Sequence, residues 1–227
     1  MSIENYNDLQ AHLADTINRT DLSDAVTTFS PTSLDSQIVR AISLAEQRIQ
    51  NDLMSKGGIG HMETVDDTVN TVGGTETITM PTGFLALRTM AITTNPYQVL
   101  QGYGDINSLF NTFPGLANSK PQAYAIVGTN TAFLRPIPDA AYDLRIIFYK
   151  ALDKLSASTT SNWLLENGVG VYVGASMVEL CMYVQDYNAT QIWESYYDAK
   201  LADLMRDDRV TRFGVVPTRA SVQVAIA

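Results

Sequence analysis

The chain has 227 residues and a mass of 24.9 kDa, enough for one generous domain or two small ones with a full core, so disorder is not expected. Its net charge of −9 argues against a protein that grips nucleic acid through phosphates. Its one cysteine, Cys181, excludes an intrachain disulfide, and its two histidines exclude a zinc ribbon or finger.

The opening MSIENYNDLQ has no basic or apolar leader character, and no long apolar run follows, so folding in the cytosol with no membrane partner is expected. Leu9, Leu13 and Ile17 then recur at i, i+4, the spacing of an amphipathic helix that should stop near Arg19. A second helix is announced by Ser30-Pro31 and Ser33. Its apolar stripe is Leu34, Ile38, Ile42, Ala45, Ile49 and Leu53, and Gly57-Gly58 should end it.

From Ile59 the pattern turns to short runs rich in Val, Thr and Ile, with Gly73-Gly74 read as a hairpin turn. Further strands are expected at Leu85 to Thr93, Tyr97 to Gln101, Ala123 to Val127, Ala132 to Arg135 and Leu144 to Lys150, with a short helix at Ile106 to Thr112. Two helices follow. One runs from about Val169 to Asp186, with Tyr172, Ala175, Ser176, Glu179 and Tyr183 among its periodic positions. The other runs from about Ala189 to Arg209, with Ile192, Trp193, Tyr196, Tyr197, Leu201, Leu204 and Met205 on its apolar side and Asn188 as link or cap. The last 18 residues hold two arginines, Arg212 and Arg219, and no acid, and end with Val222, Val224 and Ile226 in alternation. That alternation suits a strand docked on its own domain or, as the preferred reading, added to a partner.

Charged residues make up only 17% of the chain, against roughly 25% in an ordinary soluble domain. The shortage is local: residues 1–67 hold 11 acids and 4 bases, residues 68–134 hold 2 and 2, and residues 135–227 hold 11 and 9. Strands faced with Thr and Asn would account for this, and so would coverage by other subunits, because interface cores are depleted in charge; both can hold together.

Residues that carry chemistry do not converge. His12 and His61 stand alone, and Cys181 lies in the apolar run MVELCMYV, where a buried, inert thiol is expected. The glycines of Gly168-Val169-Gly170-Val171-Tyr172-Val173-Gly174 miss the phosphate-loop spacing and read as helix-opening and close-packing positions. Asp66-Asp67 and Asp207-Asp208 lack the further oxygen ligands of a calcium loop. Glu179, Asp186, Glu194, Asp198 and Asp203 share no narrow face suited to paired acid and base work. No catalytic, metal or cofactor residue is assigned. The late tyrosines, with Trp163 and Trp193, suit either a core or an interface.

Three stretches, MPTGFLALRTMAIT (80–93), PQAYAIVGTNTAFLRPIPDAAYDLRIIFYK (121–150) and NWLLENGVGVYVGASMVELCMYVQDYNATQIWESYYDAKLADLMRDD (162–208), resemble in order and spacing the head-to-tail adaptor proteins of tailed bacteriophages. The features are the proline-led strand at Pro81 to Phe84, the strand pair around Gly128 with Pro136 and Pro138 after it, Leu155-Ser156, and Asn162-Trp163-Leu164-Leu165 before a helix pair. The resemblance implies a non-enzymatic virion neck protein without cofactors. It would form a ring, usually of twelve copies, under the portal protein, extend the DNA channel without specific DNA binding, and offer a platform to a downstream tail or nozzle protein or to tail fibres. Twelve copies would carry roughly −108, which favours slippage of DNA over grip. Another phage neck or tail ring component, such as a nozzle or tail-tube protein, is the alternative, and an enzyme with an unrecognised site is the remote one. Candidates for portal docking are Arg212, Arg219, Val222, Val224 and Ile226. The fold expected is α+β: a bundle of N- and C-terminal helices (1–58 and 156–209), a central antiparallel β-rich insertion (59–155) and an extended C-terminal tail (210–227).

Overall fold

A computed structural model describes residues 3–17, 35–115 and 117–214, with no account of the side chains of residues 35, 36 and 213. The fold is α+β, and it divides into two compact units, residues 1–60 with 152–227 and residues 61–151.

The first unit is helical. Helix α1 spans Tyr6–Ile17 and α2 Asp35–Ser55; the expected stop near Arg19 and the start signals Ser30-Pro31, Ser33 and Leu34 lie outside the described residues. Leu9 and Leu13 of α1 and Ile38, Ile42, Ala45, Ile49 and Leu53 of α2 are buried, as their spacing requires. Gly57 and Gly58 both take positive φ, and their amides donate to the carbonyls of Met54 (3.1 Å) and Leu53 (2.8 Å). These are the two closing bonds of a Schellman cap, which glycine adopts without Cβ strain.

After the second unit the chain returns as α4 (Trp163–Asn167), α5 (Val169–Tyr183) and α6 (Tyr187–Phe213). Helix α5 is buried on most of its circumference and touches α1, α2, α4 and α6. Two boundaries differ from expectation. Helix α5 stops at Tyr183 because Gln185 adopts positive φ, with Asp186 N–H bonding Cys181 O at 2.9 Å. Asp186, not Asn188, then caps α6, its carboxylate accepting from Ala189 N–H at 3.0 Å. At the far end α6 continues through Val210, Thr211 and Arg212 to Phe213, so these residues are helical and not part of an extended tail.

The second unit holds two four-stranded sheets. One has the order β1–β8–β3–β4 and the other β2–β7–β6–β5, from strands β1 (Glu63–Asp66), β2 (Thr77–Thr79), β3 (Phe84–Ile92), β4 (Gln98–Val99), β5 (Gln101–Tyr103), β6 (Ala123–Val127), β7 (Thr131–Arg135) and β8 (Leu144–Lys150). The strand pairings are antiparallel, in line with the antiparallel β-rich insertion expected, except that β5 runs parallel to β6. Gly73-Gly74 does form a tight turn, with Thr75 N–H donating to Val72 O at 3.0 Å. It is no hairpin, because β1 before it pairs with β8 and β2 after it pairs with β7 in the other sheet. The single strand expected at Tyr97 to Gln101 is likewise split, buried Leu100 separating β4 from β5.

Alternation explains the core. Leu144, Ile146 and Phe148 of β8 point inward with Met90 and Ile92 of β3, Ile78 of β2, and Ala132 and Leu134 of β7, forming one apolar cluster drawn from both sheets. On the second sheet's other face, α3 (Ile106–Thr112), capped by Asp105, sets Leu109 and Phe110 against Ala123, Ala125 and Phe133.

Candidate functional site

Partly buried polar anchors hold the helical unit in register. Glu46 on α2 accepts at one oxygen, Oε1, from Leu155 N–H (2.7 Å) and from the Tyr172 hydroxyl (3.1 Å). Asn162 donates to that hydroxyl at 2.8 Å and to Asp153 O at 2.6 Å, while its Oδ1 caps α4 through Leu165 N–H at 2.9 Å. Burial raises the Glu46 pKa, against the lowering effect of the Leu155 and Tyr172 bonds and of Lys154, and burial likewise raises that of Tyr172. Tyr197, buried on α6, donates to Asp52 at 2.6 Å. Arg48 pairs with Glu179 at 2.8 Å.

The glycines of the 168–174 run act as spacers. A Cβ at Gly174 would lie 3.0 Å from Tyr197 Cα, and one at Gly170 would lie 3.0 Å from the Lys200 side chain. Helices α5 and α6 therefore approach closely along this edge, as the spacing of these glycines suggests.

The candidates for chemistry stay dispersed. Cys181 is buried, and burial raises its thiol pKa. His12 shares a helix face with Thr16, whose hydroxyl bonds His12 O at 2.7 Å. Asp67 is held bidentate by Arg145 at 2.8 and 2.9 Å, which lowers its pKa, and Asp66 accepts from Thr68. Asp208 accepts from Gly60 N–H at 2.7 Å. Among the described residues no group of three or more His, Cys, Asp or Glu side chains is arranged to hold a metal ion, and no helix is long and apolar enough to cross a membrane.

What the units offer instead is contact surface. All four charges of residues 68–134 are engaged within the β unit. Glu76 pairs with buried Arg135 at 2.7 Å, Arg88 pairs with Glu63, Asp105 caps α3, and Lys120 donates to Pro96 O at 2.8 Å. In the same span Val72, Tyr97, Val99 and Val127 are exposed. On the helical unit the exposed apolar residues are Met182, Tyr183, Tyr187, Ile192, Tyr196 and Val210, with Leu44. Three of these, Tyr183, Ile192 and Tyr196, were expected at periodic or apolar-side positions. The α6 contact face is narrower, set by Tyr197, Leu201 and Leu204, and Ile192 and Tyr196 lie roughly 100° or more around the helix from it. Of the docking candidates, Arg212 stands on the last turn of α6, 3.9 Å from Asp208 and against Gly60. Arg219, Val222, Val224 and Ile226 lie outside the described residues.

A two-unit α+β protein with such surfaces, and with the charges of residues 68–134 engaged internally, has the make-up of a structural protein that works through other proteins. Comparison with protein families matches residues 4–221 to the SU10 adaptor protein family. The match spans nearly the whole chain, so the chain belongs to that family: it is a phage head-tail adaptor, a structural component of the virion. No curated protein matches it.

Proposed function

We infer that copies of this chain assemble as a ring, of twelve in the reading the resemblance favours, beneath the portal. The ring extends the DNA channel and presents a platform to the next tail component. One observation carries the reading: in residues 68–134 all four charges are engaged inside the β unit while Val72, Tyr97, Val99 and Val127 face outward. A monomer gains nothing from apolar side chains on a charge-poor surface. A ring subunit buries two flanks, and this surface is suited to become one. The β unit is then the part that loses the most accessible area on assembly. The acidic balance of the chain supports passage of DNA without tight binding. No catalytic step is assigned.

Native mass measurement of the full chain, alone and with the portal protein, tests this reading. A closed oligomer of uniform copy number on the portal is expected. A strict monomer that ignores the portal sinks the proposal, and an oligomer that forms only with a tail protein favours a nozzle or tail-tube role.

A further inference from the structure

A sheet that does not close on itself leaves edges, and each edge is a row of main-chain donors and acceptors open to another strand. Among the described residues the edge strands are β1 and β4 in one sheet and β2 and β5 in the other. Strand β1 is guarded by charge: Glu63 and Asp66 lie in it and Asp67 follows, although Val65 between them is exposed. Strand β2 follows Glu76 and has no exposed apolar side chain.

The other two edges are consecutive. Strands β4 and β5 join through buried Leu100, so Gln98 to Tyr103 is one run shared by both sheets. Leu100 N–H donates to Met90 O and Gln101 N–H to Gln122 O, both at 2.9 Å, so these residues face inward, one to each sheet. By the alternation of a ladder, the N–H and C=O groups of Val99 and Gly102 face the open side. No charged residue occurs between Arg88 and Asp105. The neighbouring Lys120 is turned onto the carbonyls of Thr94 and Pro96, at 3.4 and 2.8 Å, ahead of the edge. Val99, and Tyr97 two places before it, are 56% and 58% exposed. An edge without charge and with apolar side chains beside it is a template for a strand of matching character.

One segment of the chain has that character. Residues 221–227, SVQVAIA, hold no charged side chain and set Val222, Val224 and Ile226 in strict alternation, the pattern of a strand with one covered face. The 13 residues from 215 to 227 can span at most about 45 Å beyond Gly214, enough to reach another subunit. Tyr97 and Val99 belong to the charge-poor surface read above as a flank, so the strand that covers them belongs to the adjoining copy.

We propose that the edge from Gln98 to Tyr103 of one copy receives residues 221–227 of a second copy of this chain as an added strand. Main-chain bonds to Val99 and Gly102 supply affinity, and Val222, Val224 and Ile226 cover Tyr97 and Val99. The contact is heterologous, head to tail, and such contacts close into rings when the rotation allows. It rests on the assembly reading above and names the surfaces that carry it. It also turns Val222, Val224 and Ile226 from the portal to a neighbouring subunit.

The test is a cysteine scan in the full chain with portal protein present. Val99→Cys is mixed in turn with Val222→Cys, Gln223→Cys, Val224→Cys, Ala225→Cys and Ile226→Cys, and each mixture is oxidised. Native Cys181 is buried and does not compete. Disulfide dimers with one chain of each variant are expected from positions 222, 224 and 226. Positions 223 and 225 should give about tenfold less, because successive side chains of a strand face opposite sides. The chain carrying both Val99→Cys and Val224→Cys should give a ladder of cross-linked copies. An intrachain disulfide in that chain would show the run folded back on its own molecule and overturn the proposal. So would a normal oligomer with no cross-link, equal yields at odd and even positions, or a cysteine of the run trapped by the portal. Absence of any oligomer, read by mass before oxidation, would defeat the assembly reading and this proposal with it. In parallel, Val99→Pro removes the outward N–H and leaves the Leu100 and Gln101 bonds in place, whereas Val99→Thr keeps that N–H. Self-association should weaken about tenfold for the proline variant relative to the threonine one. Equal assembly of the two counts against strand addition.

Discussion

Glu46 offers the sharpest test of how the helical unit is held. Its Oε1 accepts from Leu155 N–H and from the Tyr172 hydroxyl, both on buried residues. Burial raises its pKa, so on passing upward from the ordinary glutamate range the folded chain holds its proton longer than the unfolded chain does. In that window the native state binds more protons, and linkage makes unfolding free energy fall as pH rises. Glu46→Gln keeps an acceptor oxygen and removes the charge. Stability at pH 7 should then be unchanged or higher, and the Glu46 share of the pH dependence should disappear. Glu46→Ala instead leaves an amide and a hydroxyl unpaired, at about 1–3 kcal/mol for each lost partner, or about 2–4 kcal/mol together once the Tyr172 bond from Asn162 is kept. Urea unfolding followed by tryptophan fluorescence reads this directly, because Trp163 and Trp193 both lie in the helical unit. Equal losses for Gln and Ala, or a pH slope that survives Glu46→Gln, would refute the reasoning.

Gly174→Val should cost about 1–3 kcal/mol on the same urea assay, since its side chain must enter a gap where even Cβ lies 3.0 Å from Tyr197 Cα; an unchanged midpoint would mean that α6 moves away freely. Tyr197→Phe removes the 2.6 Å bond to Asp52 and should lower stability by about 1.5–3 kcal/mol, with Asp52→Asn recovering less than Tyr197→Phe loses if the charge itself matters. Cys181 should react with a thiol reagent on the timescale of unfolding, slowly in native buffer and at once in urea; rapid native labelling would contradict its burial and raised pKa.

Local periodicity carried most of the helical and strand positions. The stripe from Ile38 to Leu53, the Gly57-Gly58 stop, the strands at residues 123–127 and 144–150 and the α3 span all follow from spacing and turn chemistry that a sequence displays. What escaped was decided by distant partners. Gly73-Gly74 forms a turn on local grounds, but whether a turn is a hairpin depends on which strands pair, and β8 and β7 claimed its two flanks. The break at Leu100 has the same origin, since β4 and β5 joined different sheets. On α6 the error was one of angle. Aromatic character suggested a broad buried face, whereas close approach at Gly170 and Gly174 narrows the contact to Tyr197, Leu201 and Leu204 and turns Ile192 outward.

The hydrogen bonds at the points where the chain leaves and re-enters the helical unit could not be read from the sequence, and they show how an insertion is tolerated there. Closing a loop of 91 residues, 61–151, is entropically costly whatever it contains. The helical unit fixes both ends by the same device. Asp208 of α6 accepts from Gly60 N–H at 2.7 Å, and Glu46 of α2 accepts from Leu155 N–H at 2.7 Å. Charge-assisted bonds of this length are stronger than ordinary amide bonds, and each aligns a backbone group that regular secondary structure has released. Arg212 lies against Gly60 and within 3.9 Å of Asp208, so its guanidinium helps hold the exit point. That assigns Arg212 a duty inside its own subunit.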